Sequence, residues 1–136
     1  MEAARATLSS AEADAERGDY NWACFKAQQA AELAVKGLLR GLGQPRYGHS
    51  VARLLLEAAR LLSVEPPSDV IDCGKLLDKL YIPTRYPDAW SEGPPHFYFT
   101  RRDAAEAIEC ARRVLAWVEE QWSRLRLGDG GSRGSG

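Results

Sequence analysis

The stretch YNWACFKAQQAAELAVKGLLRGL, residues 20–42, decides the fold, because it predicts a long helix that is apolar around most of its girth. Its main polar positions recur every four residues and form one stripe: Gln28, Glu32, Lys36 and Arg40. A helix with so narrow a polar stripe is buried on most sides. It is either the central helix of a bundle or part of an oligomer interface. The stripe itself is either a solvated seam or the floor of a polar groove.

Working outward from this helix, an apolar periodicity of about 3.6 residues predicts four more helices, and no strand pattern competes with them. Short connections between helices of this length favour antiparallel neighbours. We therefore predict an all-α, up-and-down bundle of four to five helices, with one long loop rich in proline and aromatic residues before the last helix. The four further helices cover 2–17, 50–62, 69–82 and 101–126, within one domain at 1–127 that precedes a disordered Gly/Ser-rich tail at 128–136.

Local signals support several of these boundaries. Gly18 follows the first helix, and Ser50 precedes the third as a predicted N-cap. Thr100 and Asp103 resemble a capping box at the start of the last helix, with Asp in place of the usual Glu. Gly74 either weakens the fourth helix slightly or lets a neighbouring helix approach closely.

Composition narrows the class of protein. The net charge is −1 and the isoelectric point is near 6.1, so no global basic field favours non-specific nucleic-acid binding. The three cysteines are Cys24, Cys73 and Cys110, and each lies in an apolar helical pattern. Their odd number and wide spacing predict three buried free thiols in a reducing compartment, without a metal site. The charged N-terminus lacks the apolar run of a signal peptide, and no membrane-spanning segment is present, so we expect a cytoplasmic protein.

The predicted loop is unusual in composition. Residues 81–99, YIPTRYPDAWSEGPPHFYF, hold four of the seven prolines, six of the twelve aromatic residues and one of the two histidines. A connection longer than about 12–15 residues in a compact domain is usually functional or disordered, and its prolines and aromatics argue against disorder. It either seals one end of the bundle or presents Arg85 and His96 for chemistry.

Arg85 and His96 together suit phosphate chemistry. A guanidinium offers a planar fork of donors to phosphate, and an imidazole transfers protons near neutral pH. Such a pair can cleave RNA without a metal, with His96 moving protons and Arg85 stabilising the developing negative charge. Structural roles are the alternatives: Arg85 pairs with Asp88 or caps carbonyls, His96 packs in the loop, and Tyr98 and Phe99 belong to the core. His49 is interpreted as a local cap or hinge residue.

Other chemistries find no support. The sequence contains neither a phosphate-binding loop motif nor a G-x-G-x-x-G motif, and it has no H-E-x-x-H or G-x-S-x-G motif. No predicted helix is basic on one face, which argues against helix-turn-helix DNA binding.

Three motifs in combination resemble the HEPN domain family. They are FKAQQAAELAVKGLL at 25–39, GHS at 48–50 and RYPD at 85–88. The resemblance runs from about residue 5 to about residue 125. It implies a helical bundle, a homodimer and a minimal nucleotidyltransferase as partner, in some members as toxin and antitoxin. Active members of this family are metal-independent endoribonucleases with a composite site across the dimer axis.

The sequence departs from the motif of those nucleases, in which a polar residue follows the arginine and the histidine comes shortly afterwards. Here Tyr86 follows Arg85, and His96 lies eleven positions on, although His96-Phe97-Tyr98 matches the motif's H-x-Y ending. The resemblance to RYPD-type members implies a nucleotide- or RNA-phosphate-binding partner protein. A ribonuclease toxin that uses Arg85 and His96, and a dimerisation module without ligand, are the alternatives. The predicted nucleotide- or RNA-binding residues are Arg85, Tyr86, Trp90, Tyr98, Lys36 and Arg40; no metal and no cofactor is expected.

Overall fold

A computed structural model describes residues 1–85 and 98–135, with side chains described outside 82–85 and 128–135. The described residues form five helices and no strand, which confirms the all-α bundle. We number them in chain order: α1 Glu2–Glu16, α2 Tyr20–Gly41, α3 Val51–Leu62, α4 Ser68–Arg85 and α5 Arg101–Ser135.

The long helices alternate in direction. Asp14 of α1 contacts Lys26 of α2 across a short turn, so these two helices are antiparallel. Tyr20 lies beside Arg101 at one end of α2, and Gly41 faces Trp122 at the other, so α2 and α5 run in the same direction. Helices α4 and α5 are antiparallel, and the short α3 packs against α2 and α4.

Helix α2 is the central element, as its apolar girth predicts. It packs against all four other helices, and its alanines and leucines are almost fully buried. The core that surrounds it includes Leu38, Leu39, Leu55, Leu77 and Val114. The first of the two predicted explanations for its composition, a central helix of the bundle, is therefore correct.

The predicted caps are also present. Ser50 Oγ accepts a hydrogen bond from the backbone N–H of Arg53 at the start of α3. At the start of α5, the Thr100 N–H donates to Asp103 Oδ2 at 2.9 Å, and the Asp103 N–H donates to Thr100 Oγ1 at 3.1 Å. These reciprocal bonds satisfy donors that a helix leaves unpaired at its N-terminus.

Gly74 allows α3 and α4 to approach closely, which was one of its two predicted roles. A Cβ atom at this position would lie 3.0 Å from the backbone N and Cα of Ala52. This close approach matters for the site, because it brings the N-terminus of α3 within reach of Asp78 on α4.

The prediction of three free thiols is wrong for two of the cysteines. Cys73 of α4 and Cys110 of α5 form a disulfide, with their Cα atoms 4.9 Å apart, whereas Cys24 is free and buried. The two bonded residues are 37 positions apart in sequence, and only the antiparallel packing of α4 on α5 brings them together.

The predicted end of α4 at residue 82 falls three residues short, since the helix runs to Arg85. Pro83 therefore lies within the last turn; proline lacks an N–H donor, but its φ angle suits a helix. Most of the predicted loop, residues 86–97, lies outside the described residues. Helix α5 runs beyond its predicted end at 126 to Ser135, and the domain boundary at residue 127 remains a prediction.

Candidate functional site

The structure describes some of the predicted site residues and not others. Tyr86, Trp90 and His96 lie outside the described residues, whereas Lys36, Arg40 and Tyr98 lie within them. Arg85 is the last residue of α4, and its side chain is likewise not described. The predicted pairing of Arg85 with His96 therefore stays a prediction, and the geometry below concerns the elements that lead to Arg85.

A buried carboxylate, that of Glu32, organises the described part of the site. Glu32 is 7% exposed. Its Oε2 accepts a hydrogen bond from Lys36 Nζ at 3.0 Å. Its Oε1 accepts one from Gln28 Nε2 at 3.1 Å and lies 3.1 Å from His49 Nδ1. A buried charge is costly unless it is paired and hydrogen-bonded, and here three side chains meet that requirement.

These contacts decide how the polar stripe of α2 is used. Gln28 is fully buried, and its Nε2 also donates to the backbone carbonyl of His49 at 2.9 Å. The first half of the stripe is therefore not a solvated seam, because Gln28 and Glu32 bind the connection between α2 and α3. The second half reaches the surface: Lys36 is half-buried, and Arg40, one turn later, is exposed.

His49 joins α2 to α4. Its ring stacks on Tyr81 of α4, with the ring centroids 4.8 Å apart and the planes 17° from parallel. Tyr81 also lies near Phe25 of α2, at a centroid distance of 6.4 Å. Because Tyr81 precedes Arg85 by four residues, one helical turn, His49 lies near the end of α4 that carries the RYPD arginine.

Asp78 fixes the residue next to His49. Its Oδ2 accepts a hydrogen bond from Ser50 Oγ at 2.7 Å, and its two carboxylate oxygens accept from the N–H groups of Val51 and Ala52. Carboxylates are favoured at helix N-termini, where N–H groups lack partners within the helix. Asp78 therefore holds α3 against α4 and fixes the backbone that carries His49.

A cavity of about 260 Å³ lies at the connection between α2 and α3 and the first turns of α3. Its lining includes Arg46, His49, Arg53 and Glu57. Arg46 Nη2 lies 2.9 Å from Glu57 Oε1, and Arg60 pairs with the same carboxylate. Hydrogen bonds from Arg60 and Arg46 lower the pKa of Glu57 to about 2. The carboxylate is therefore ionised at neutral pH, and the arginines around it outnumber it.

The remaining predicted binding residues have simpler surroundings. Arg40 has no ion-pair partner within the described parts of the chain. Tyr98 is half-buried just before α5, and Phe99 is buried, as expected of a core residue.

Sequence reasoning interpreted His49 as a cap or hinge and missed its contacts with Glu32 and Tyr81. The clue to its place was the GHS motif, read together with the spacing of Gln28 and Glu32.

Residues 1–85 and 98–135 lack two further kinds of site. No cluster of three or more metal-binding side chains occurs there. None of the helices in this part of the chain combines the length and the apolar character that a bilayer crossing requires.

Most of the chain matches one known family. The model of the HEPN domain family covers residues 1–121. The chain belongs to the HEPN domain family. No curated protein matches it.

Three solved structures are similar to this HEPN domain. TT1696 from Thermus thermophilus is 49% identical, with a TM-score of 0.82 over 88% of this chain and 92% of its own. ST0689, an archaeal HEPN homologue, is 46% identical, with a TM-score of 0.72 over 87% and 90% of the two chains. An HEPN domain protein from Thermotoga maritima is 35% identical, with a TM-score of 0.73 over 91% and 97%. The similarity extends over nearly the full length of each of these structures.

Proposed function

We propose that this HEPN domain is a cytoplasmic homodimer that binds the phosphate of a nucleotide or RNA and acts as the helical partner of a minimal nucleotidyltransferase. The observation that carries the proposal is the cluster around Glu32. It holds Lys36 and His49 on one carboxylate, beside the end of α4 where Arg85 lies.

The arginines outside this cluster supply the positive charge for an anion. Lys36 is neutralised by Glu32, but Arg40 follows one turn later without an ion-pair partner among the described residues. Arg85 adds a second positive charge at the end of α4. Arginine is well suited to phosphate because its guanidinium can donate two parallel hydrogen bonds. Under this proposal Arg85 binds the phosphate and Lys36 lines the same groove. Arg40 lies at the other end of α2, beside Trp122, so it would contribute only from a second copy of the chain.

The proposed homodimer uses the outer face of α2. Trp22 is 50% exposed and Leu33 is 43% exposed, and their separation of eleven residues places them on one helical face. Arg40 is exposed on the same face of α2 as Trp22 and Leu33, and there is open space beside Gly37. A second copy docked here would cover the exposed apolar side chains and bring its own Arg40 near the phosphate groove.

RNA binding provides the first test. Labelled single-stranded RNA is titrated in EDTA against the wild type, Arg85→Ala and His96→Ala, and both binding and cleavage are followed. We expect binding that falls at least about tenfold in Arg85→Ala, the order of one lost charge-assisted hydrogen-bonding group. The matched control is Arg102→Ala, which removes an exposed arginine at the start of α5. Equal affinity in wild type and Arg85→Ala would contradict the proposal.

The same experiment shows whether the protein cleaves RNA or only binds it. Cleavage that persists in EDTA and disappears in both Arg85→Ala and His96→Ala would identify a metal-independent nuclease. Binding without cleavage, lost in Arg85→Ala only, would support a binding protein whose partner performs the chemistry.

Co-purification with a co-expressed minimal nucleotidyltransferase tests the partner, and absence of a stable complex would contradict that part of the proposal.

Light scattering after gel filtration tests the dimer. Trp22→Glu combined with Leu33→Glu should yield a monomer, because each copy would place two charges in the apolar contact. Leu56→Glu is the control, since Leu56 is similarly exposed at 49% but lies on α3. A wild type that is monomeric at micromolar concentration would overturn the homodimer.

A further inference from the structure

The cavity at the connection between α2 and α3 has a composition that suits an anion. Arg46, Arg53 and His49 contribute to its lining, and Glu57 is the acidic residue among them. Arg46 shares that carboxylate with Arg60, which lies on the next turn of α3. Arg53 is exposed and has no ion-pair partner in the described parts of the chain. Positive charge is therefore in excess around this cavity.

His49 is held with one ring nitrogen inward. Its Nδ1 faces the buried Glu32 carboxylate, and its ring plane lies on Tyr81. A ring nitrogen that faces a carboxylate carries the proton, so Nε2 is left to bind other groups. No described residue forms a hydrogen bond with Nε2, and the His49 side chain is 58% exposed. The protein thus fixes the orientation of an imidazole whose outer nitrogen has no hydrogen bond to the described residues.

Tyr47, two residues before His49, adds an aromatic surface. It is 93% exposed and also lines the cavity. An aromatic side chain with so little packing of its own can stack on a nucleic-acid base, and such stacking tolerates any base.

We propose that this cavity is a second subsite for single-stranded RNA, in which Arg53 binds a phosphodiester, His49 Nε2 accepts a hydrogen bond from a ribose 2′-hydroxyl and Tyr47 stacks on an adjoining base. The proposal rests on the proposed function, because the RNA would be the one that Arg85 binds. Tyr81 connects the two subsites: it stacks on His49 and precedes Arg85 by one helical turn. The RNA strand would therefore cross the end of α4.

The subsite predicts a preference for RNA over DNA. With a proton on Nδ1 toward Glu32, His49 Nε2 is an acceptor. A ribose 2′-hydroxyl can donate to it, and DNA lacks that group.

The test uses fluorescence anisotropy in EDTA with labelled single strands of about eight nucleotides, within the site sizes of single-strand binders, as RNA and as DNA of the same sequence. We expect the wild type to bind the RNA about fivefold more tightly than the DNA, the order of one hydrogen bond. His49→Gln keeps a polar side chain beside Glu32 but removes the imidazole nitrogen, so this difference should largely disappear. Retention of the full preference for RNA in His49→Gln would overturn the role of His49.

Salt dependence tests Arg53 separately. Each phosphate contact adds about 0.7 to the slope of log affinity against log salt concentration for a single strand, so Arg53→Ala should lower the slope by about that amount. Arg102→Ala on α5 should leave the slope unchanged. Circular dichroism checks that the variants are folded, and Arg53 is exposed, so its replacement should leave the fold intact. An unchanged slope in Arg53→Ala would overturn the subsite.

The two proposals fail in different ways. Binding that depends on Arg85 but is unaltered in His49→Gln and Arg53→Ala would overturn only the second subsite. Binding that depends on His49 and Arg53 but not on Arg85 would overturn the principal phosphate site and retain this one. No RNA binding by the wild type would overturn both.

Discussion

Two buried carboxylates, Asp14 of α1 and Glu32 of α2, each pair with two side chains, but those partners differ in their further contacts. Asp14 of α1 is 3% exposed and pairs with Lys26 of α2, at 2.7 Å, and with Arg17. Its contacts tie α1 to α2. Glu32 is similarly buried and pairs with Lys36 and His49.

The difference lies in the partners. Those of Asp14 have further partners nearby: Lys26 also donates to Ser10, and Arg17 also pairs with Asp19. His49, in contrast, has one ring nitrogen that forms no hydrogen bond within residues 1–81 and 98–127, and it lies at the edge of a cavity. A buried charge alone therefore does not mark a functional site. A partner that is held in place and still has a free hydrogen-bonding position is the better indicator.

The largest expected effect concerns the rate at which Cys24 reacts with an alkylating reagent. This buried thiol lies on α2, between Asp14 and Glu32 in sequence, and its reactivity shows whether the core around α2 is closed. Burial, with a smaller contribution from Asp103, raises the pKa of this thiol from 9.0 to about 12. Since the thiolate is the reactive form, we expect alkylation at about pH 8 to be at least about 1000-fold slower in the native than in the unfolded protein. Quantifying thiols by mass after alkylation should yield one per unfolded chain without reductant, and three with it.

The raised pKa of Cys24 also sets the sign of its effect on stability. The folded state favours the neutral thiol, so this contribution is complete below about pH 9 and is lost as the pH rises toward 12. Rapid alkylation of Cys24 in the native state would show that the core around α2 opens, and it would contradict the prediction.

Asp14→Asn should give the larger loss of stability of the two carboxylate changes. The neutral amide of asparagine lacks the charge that pairs with Lys26 and Arg17, and its NH₂ group would face one of these cations. Breaking a fully buried pair costs about 3–5 kcal/mol, but both partners here reach solvent, so we expect about 2 kcal/mol. Urea unfolding measures this value. A loss below that of Glu32→Gln would reverse the comparison.

Glu32→Gln should cost about 1 kcal/mol, because its neighbourhood can adapt. His49 can move its proton to Nε2 and use Nδ1 as an acceptor for the new amide, whereas Lys26 and Arg17 have no such freedom. A double-mutant cycle with His49→Gln should give a coupling of about 0.5 kcal/mol or more. A coupling near zero would mean that Glu32 does not orient the imidazole.

The smallest effect, a change in how stability depends on pH, is expected at Glu57. This carboxylate lies nearer the surface than Asp14 and Glu32. Arg60 and Arg46 lower its pKa from 4.5 to about 2. The stability that this shift contributes is present above about pH 4.5 and is lost as the pH falls toward 2. Glu57→Gln should therefore unfold at a urea concentration that depends less on pH across this window. Glu106→Gln, which removes an exposed ion pair with Arg102, is the control, and identical pH dependence in wild type and Glu57→Gln would contradict the prediction.

Sequence reasoning recovered features that depend on neighbouring residues. The helices, the central place of α2, the Ser50 cap and the Thr100–Asp103 bonds all follow from periodicity and capping rules that act within a few residues. The family resemblance, based on three short motifs, was also confirmed over residues 1–121. Local rules did not fix the end of α4: a proline inside a helix usually ends or kinks it, yet α4 continues through Pro83 to Arg85.

Tertiary structure decided the features that join distant residues. His49 meets Glu32 across 17 positions, Asp78 caps α3 across 26 to 28, and the Cys73–Cys110 disulfide spans 37. A sequence shows which side chains can bond, but the distances between them depend on how helices cross. The amino-acid sequence alone therefore determined the helices and the family. Only the packing of α3 and α4 on α2 showed that a histidine interpreted as a hinge is held by a buried carboxylate beside the candidate site.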